Sequence, residues 1–230
     1  MITRIHRPLR FAVADSSRAS SHPDFWDTRY EREDHLFGTA PNAFVAEEAS
    51  RVPPKCDVVE VGAGEARTLA WLARQYDHRT TAVDFSAEAL STAARWAESH
   101  DLALDTIQTD VRTWRPDRQW DVALVTFLQL LPDERQALYR LLRRIVRPGG
   151  WMLGEWFRPD HLTGAYDRMG PSRADRMVPV ADVRAAFSED RIVRCEAADV
   201  HLQEGPLLHG HAAVVQAVVQ RTDEGGGGQP

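Results

Sequence analysis

The sequence predicts an α/β fold, a three-layer sandwich on a mainly parallel sheet. From about Val58 onward, short β-branched runs alternate with amphipathic stretches of roughly 10 to 15 residues, the rhythm of βαβ units. The runs 56–61 (CDVVEV), 79–84 (RTTAVD) and 121–127 (DVALVTF) hold few internal charges, as parallel strands covered on both faces require. A glycine turn, Gly62-Ala63-Gly64, joins the first run to a helical pattern, so strand, turn and helix follow one another directly.

Residues 1–40 are polar, aromatic-spotted and aperiodic, which sets an N-terminal arm (1–50) apart from a single core (51–222). Candidate strands are 56–61, 79–84, 104–109, 121–127 and 150–156. Helices are expected over 66–76, 86–99 and 133–146. Ser86 supplies a cap for the second of these, Pro132-Asp133 opens the third, and Arg147-Pro148-Gly149-Gly150 closes it. In 133–146, Leu138, Leu141, Leu142 and Ile145 share one face, and Arg140, Arg143 and Arg144 read as a solvated face. After 157 comes a loop-rich stretch, then a short helix near 180–188. Two apolar runs, 192–202 and 212–220, follow, and the GPLLHG between them suggests an antiparallel pair at one sheet edge. The final DEGGGGQP (223–230) has nothing to bury and reads as a flexible tail.

Composition narrows the function. With 28 basic against 34 acidic residues the formal charge is −6, so a broad phosphate-gripping surface is disfavoured and no nucleic-acid partner is expected. A mean hydropathy of −0.42 and no long uncharged apolar run argue against a membrane span. The N-terminus has no clean apolar stretch of the secretory kind, so a cytoplasmic protein is expected. Two cysteines, Cys56 and Cys195, are too few for a disulfide framework, lack the company a zinc site needs, and read as reduced core residues.

The strongest chemical signal is VVEVGAGEARTLAWLA at 58–73, where Glu60 stands just ahead of Gly62-Ala63-Gly64. Side chains at either glycine would fill the space a ligand needs or forbid the required φ. Asp84, 20 residues past Gly64 at the end of the next strand, stands where an acid accepts hydrogen bonds from ribose hydroxyls. A dinucleotide loop would place a small residue where Arg67 stands, and no Gly-Lys-Ser/Thr marks a P-loop. Glu60 would repel a pyrophosphate but suits a ligand with a sulfonium and an α-ammonium, which points to S-adenosyl-L-methionine. Asp110 after the third strand is placed to accept from an adenine amine, and the 121–129 strand end delivers Thr126, Phe127 and Gln129 to the same crevice.

These motifs resemble the class I S-adenosylmethionine-dependent methyltransferases over roughly residues 25–220. Glu60 to Gly64 matches the first family motif, Val83-Asp84-Phe85-Ser86 the second, Asp110-Val111 the third and Trp120-Asp121-Val122 the fourth; Val146 to Gly150 matches the turn before strand five. The resemblance implies a Rossmann-like, seven-stranded, mainly parallel sheet with an antiparallel last strand. Within the superfamily the chain is most similar to the small tellurite-resistance and thiol (thiopurine-like) methyltransferases. That likeness rests on Phe25 to Tyr30, Phe37 to Asn42, Met169-Gly170-Pro171 and the stretch Glu204-Gly205 with His209-Gly210-His211. It implies that the arm is a lid over the cofactor and acceptor, with Trp26, Arg29 and Tyr30 contributing. The implied cofactor set is Trp26, Arg29, Glu60, Gly62, Ala63, Gly64, Asp84, Phe85, Asp110, Val111 and Thr126. Ala66 and Thr68 replace a family Gly and Asn; Leu208 and Gln129 stand where histidines are common.

Methyl transfer from a sulfonium is an in-line displacement, so positioning is the main catalytic device. Soft nucleophiles such as thiolates need no general base, whereas hydroxyl or amine acceptors want a His or carboxylate. Tyr30, His209 and His211 are the candidate catalytic residues; His35 and His161 are further imidazoles. His209 and His211 share a strand face, but no third ligand suggests a metal. Trp26, Tyr30 and Trp156 are candidates for an aromatic face over the sulfonium. The expected substrate is a small molecule, a thiol or other soft acceptor, on a monomer or homodimer. The alternatives are an O- or N-methyltransferase tailoring a secondary metabolite, and a non-catalytic S-adenosylmethionine sensor.

Overall fold

The computed structural model describes residues 20–33 and 35–222. Seven strands form one sheet: β1 (Asp57–Val61), β2 (Arg79–Asp84), β3 (Leu104–Gln108), β4 (Trp120–Thr126), β5 (Val146–Phe157), β6 (Arg191–Gly205) and β7 (Leu208–Gln220). Their order is β3-β2-β1-β4-β5-β7-β6, and only β7 runs against the rest. The helices are α1 (Pro23–Tyr30), α2 (Ala43–Glu48), α3 (Arg67–Tyr76), α4 (Ala87–Ser99), α5 (Pro132–Ile145) and α6 (Val180–Ala186).

Both faces of the sheet are covered, which is why its central strands are apolar throughout. Val59, Val61, Ala123 and Val125 pack with α5 and α6, while Val58, Val122 and Leu124 pack with α2, α3 and α4. The period-2 alternation of β1 and β4 thus sends consecutive residues into two separate cores. Gly62 and Ala63 donate their amides to the carbonyl of Val83 at 2.8 and 3.1 Å, so the glycine turn is pinned to the end of β2. Crossing from β1 to β4 reverses the order of strand addition, and ligands of open α/β sheets bind at such a switch point.

The expected core elements form, with three differences of detail. Ser86 caps α4 by accepting the Ala89 amide at 3.1 Å, as expected. At α5, Pro132 is the first helical residue, but it is Glu134, not Asp133, whose carboxylate reaches back to the Leu131 amide, at 2.8 Å. Arg147 to Gly150 is not a turn closing a helix but a bulge inside β5: pairing steps from Trp120↔Val146 to Val122↔Trp151. Gly150 allows it, since a Cβ there would lie 2.7 Å from the Asp121 carbonyl oxygen. The β6–β7 hairpin is longer than the apolar runs and closes at Pro206-Leu207.

The aperiodic arm holds two helices. In α1 only Tyr30 is buried, so no apolar stripe marks it, although Pro23 starts it. Helix α2 is short, and Phe44 and Val45 bury it against the sheet, so the second half of the arm packs as core. The tail (223–230) and residues 1–19 of the arm lie outside the described residues.

Candidate active site

A cavity of about 610 Å³ opens over the carboxyl ends of β1, β2 and β4, within the roughly 300–1,000 Å³ usual for small-molecule sites. Its floor is the end of β1. Glu60 is 2 % exposed, and its Oε1 accepts from the Thr126 hydroxyl of neighbouring β4 at 2.8 Å. Its Oε2 is buried with no hydrogen-bond partner. Burial pushes this carboxyl up to about 7 despite the Thr126 bond. A buried carboxylate oxygen without a donor is costly by itself, and it is the receptor a ligand ammonium would satisfy.

The glycine turn rises beside it. Gly62 (φ +75°) and Gly64 (φ +53°) are both left-handed, and a Cβ on Gly64 would lie 2.7 Å from the Tyr30 hydroxyl oxygen. Ala66, in place of the family glycine, is also left-handed at φ +57°. Asp84 sits across the turn, and its Oδ2 accepts from the Gly64 amide and its Oδ1 from the Ser86 amide, both at 2.9 Å. Burial raises its pKa against the pull of these amides. Each oxygen keeps a further lone pair, so the carboxylate can still accept from a ligand diol. Phe85, Ala63 and Val111 complete this wall.

Asp110 also lines the cavity, but Arg112 already engages it: Nε reaches Oδ1 at 2.8 Å and Nη2 reaches Oδ2 at 2.6 Å. Burial pushes the Asp110 pKa up, but the Arg112 bonds and charge outweigh it and hold the carboxyl below its ordinary value. Arg112 goes on to Glu134 at 2.8 Å and to the Ser21 carbonyl at 2.9 Å, tying the arm to this corner. An adenine amine would therefore share an oxygen already in use.

Helix α1 forms the roof. Asp27 accepts from the Ser86 hydroxyl at 2.6 Å, and the rings of Trp26, Tyr30 and Phe37 lie 6.2 to 6.4 Å apart over the cavity. The Arg29 guanidinium stacks 3.5 Å over the Phe25 ring and donates to the Phe25 carbonyl at 2.7 Å. Burial first, then the charge of Asp84, holds Tyr30 well above the ordinary phenol value, so it stays a proton donor. Trp156 is not part of this face: it is buried in the α5–α6 core, and strand alternation turns Phe157 to the cavity instead.

The far end of the cavity is apolar and aromatic. Phe127, Phe157, Met169, Leu207 and Leu208 line it, and the Phe127 and Phe157 rings lie 5.0 Å apart. Phe127 is left-handed at φ +55°, a strained conformation for a bulky residue. His209 lines the rim here. His211 does not; both lie exposed on one face of the hairpin with His201, whose ring is 4.7 Å from His211 and 5.6 Å from His209. His161 is structural: its Nδ1 accepts the Ala213 amide at 3.3 Å, leaving Nε2 to donate to the Met169 carbonyl at 3.0 Å. His35 is away from the cavity, its ring against Trp96. Among the described residues no group of three metal-ligating side chains is placed to hold an ion.

One network escaped the sequence reading. Arg67 donates to Glu204 and to the Ala40 carbonyl; Glu204 also accepts from the Ala43 amide at 3.0 Å and from Asn42 Nδ2 at 3.2 Å. Asn42 Nδ2 continues to Glu155 at 2.6 Å. It clamps the 38–43 segment to the hairpin, where Gly38 fits against the Glu204 carbonyl; a Cβ on Gly38 would come within 2.6 Å of that oxygen. Its partners lie 137 residues apart for Arg67 and Glu204, so only the Glu204-Gly205 motif hinted at it.

The fold is that of the class I S-adenosylmethionine-dependent methyltransferases. Residues 58–150 match the family model described as a methyltransferase domain. Among solved structures, TehB from Haemophilus influenzae superposes with TM-score 0.66 at 14% identity, over 87% of this chain and 67% of its own. A structure described for the conversion of a disulfide bond into a thioacetal group during echinomycin biosynthesis matches with TM-score 0.66 at 18% identity, over 89% and 94%. The 1,6-didemethyltoxoflavin-N1-methyltransferase of Burkholderia thailandensis, with that compound and S-adenosylhomocysteine bound, matches with TM-score 0.62 at 20% identity, over 95% and 94%. Comparison with curated proteins finds no match.

Proposed function

We propose that the protein methylates a small, soft nucleophile of the thiol class. S-adenosylmethionine, when bound, supplies an electrophilic methyl group on a sulfonium. In this reading Glu60 Oε2 receives the cofactor ammonium, Thr126 fixes the orientation of that carboxylate, and Arg29 answers the cofactor carboxylate. Gly62, Ala63 and Gly64 let the backbone approach, Asp84 takes the ribose hydroxyls, and Phe85, Asp110 and Val111 border the adenine. Trp26 and Tyr30 close over the sulfonium and exclude water, where ring faces stabilise positive charge.

The observation that carries the reading is the distribution of bases around the cavity. Its carboxylates, Glu60, Glu65, Asp84 and Asp110, all stand on the β1, β2 and β3 side. Among the described residues, the opposite wall brings aromatic, aliphatic and arginine side chains, with His209 its one imidazole. A thiol is already ionised to a few per cent at about pH 7 and is intrinsically nucleophilic, so a wall with few bases suits it. The sulfur chemistry named for the echinomycin-pathway neighbour supports the same direction.

His209 favours one second reading, O- or N-methylation with that imidazole as base, in keeping with the toxoflavin neighbour. Mass spectrometry of products from parallel incubations with hydrogen sulfide, small thiols, phenols and amines separates the two. Methylated thiols in excess are the expected result; methylation confined to phenols or amines overturns the thiol assignment. Failure to release S-adenosylhomocysteine with any acceptor would leave a cofactor-binding sensor.

A further inference from the structure

We propose that the methyl acceptor carries an anionic group, a carboxylate or similar oxyanion, and that Arg168 is the side chain that recognises it. The inference rests on the methyl-transfer reading of the same cavity and extends it to the acceptor. The segment 168–176 (RMGPSRADR) turns three arginines, Arg168, Arg173 and Arg176, to the acceptor wall of a chain whose overall charge is −6. Two of them have structural tasks. Arg176 is buried and donates to the Gln129 carbonyl at 2.9 Å and the Ser21 hydroxyl at 3.0 Å. Arg173 holds Asp175 with Nε at 3.0 Å and Nη2 at 2.5 Å.

Arg168 has neither a hydrogen bond nor an ion pair among the described residues, yet its backbone is held on both sides. Before it, Asp167 exchanges two bonds with β7: its amide donates to the His211 carbonyl at 2.9 Å, and its carboxylate accepts the His211 amide at 2.6 Å. After it, the Met169 carbonyl is fixed by His161 at 3.0 Å, and Gly170 (φ +70°) lies so close to Phe157 that a Cβ would come within 2.5 Å of the ring. A rigid loop thus presents a guanidinium without a counter-charge beside an aromatic wall.

Arg29 is the other cavity arginine with no carboxylate partner among the described residues, and the cofactor's single carboxylate can answer only one of the two. Arginine's planar fork matches a carboxylate with two parallel bonds, and Arg168, exposed at the cavity mouth, offers that fork to an acid but not to its ester. The acceptor this wall fits has an apolar body against Phe127, Phe157 and Met169, its nucleophile toward the cofactor, and its anion toward Arg168.

The test uses the whole protein saturated with S-adenosylhomocysteine and titrated calorimetrically with 2-mercaptobenzoate, its methyl ester and 2-hydroxybenzoate. Both acids should bind roughly tenfold or more tightly than the ester. The preference should vanish in Arg168→Gln, survive in part in Arg168→Lys, and persist in Arg29→Gln, which instead weakens the cofactor. Equal affinity for acid and ester, no binding of either acid, or an undiminished preference in Arg168→Gln overturns the proposal. Which of the two acids is then methylated decides the thiol assignment separately, because the acid-to-ester ratio does not depend on the atom methylated.

Discussion

The hydroxyl of Thr126 donates to Glu60 Oε1 across 2.8 Å, joining the carboxyl ends of β4 and β1 and leaving Glu60 Oε2 buried without a partner. One oxygen is fixed by the fold, and the other is left without a donor among the described residues. The groups coupled to Glu60 are Thr126, Arg67, Asp84 and Glu204, and none of them makes a bond to Oε2.

That carboxyl titrates near 7 in the folded chain against about 4.3 for a free glutamate, and buried Glu155 behaves alike. A carboxyl raised on folding binds more protons folded than unfolded between these values. Its stabilising contribution is complete below about 4.3 and is lost as pH rises through 7. The Tm of the ligand-free protein should fall from pH 5 to 7.5, and less steeply in Glu60→Gln. A cofactor ammonium needs the ionised form, and S-adenosylhomocysteine keeps that ammonium, so its affinity should rise over pH 6 to 8. Glu60→Gln should flatten that rise and weaken binding about 10- to 100-fold. Calorimetric titrations across pH check both.

Gly64 and Tyr30 are in contact through the turn. Gly64→Ala should destabilise the chain by about 1–2 kcal/mol from its left-handed φ alone, with a further penalty from the Tyr30 hydroxyl 2.7 Å away. In the background of Tyr30→Phe that second part should disappear. Urea denaturation of the double-mutant cycle should yield a coupling of about 1 kcal/mol; strict additivity would contradict the contact.

Arg67 and Glu204 form a buried ion pair that carries the 38–43 segment. Removing one partner leaves a charge without compensation, so Glu204→Ala should cost about 3–5 kcal/mol in urea denaturation. It should also expose the 38–43 segment to hydrogen exchange. Loss of stability without faster exchange there would show that the clamp does not hold this segment.

Much of this was legible in the sequence because it is local. Glu60, Gly62, Gly64 and Asp84 lie within 25 consecutive residues, and the apolar strands around them announce burial on both faces. Helix α1 was not legible, since it buries only Tyr30 and so has no periodicity to read. Distant partnerships were equally hidden: the engagement of Asp110 by Arg112 and the Arg67–Glu204 clamp arise from packing. His209 and His211 share a face as expected, but only the first reaches the rim, and Trp156 exchanged places with Phe157 through a single step of strand alternation.

His209 distinguishes the two acceptor readings. With a thiol acceptor, His209→Gln should change kcat/KM less than threefold, and the pH–rate profile should follow the ionisation of the thiol itself. A loss of about 100-fold or more, with a limb of the pH–rate profile that vanishes in the variant, would mark His209 as a general base.

The most direct measurement is calorimetric titration of S-adenosylhomocysteine into the wild-type chain and Asp84→Asn, with the Tm of each taken alongside. Asparagine keeps the shape of the side chain but loses the charge proposed to face the ribose. The account predicts about 10- to 100-fold weaker binding at near-normal Tm; unchanged affinity in a folded variant would contradict the placement of the cofactor across the ends of β1 and β2.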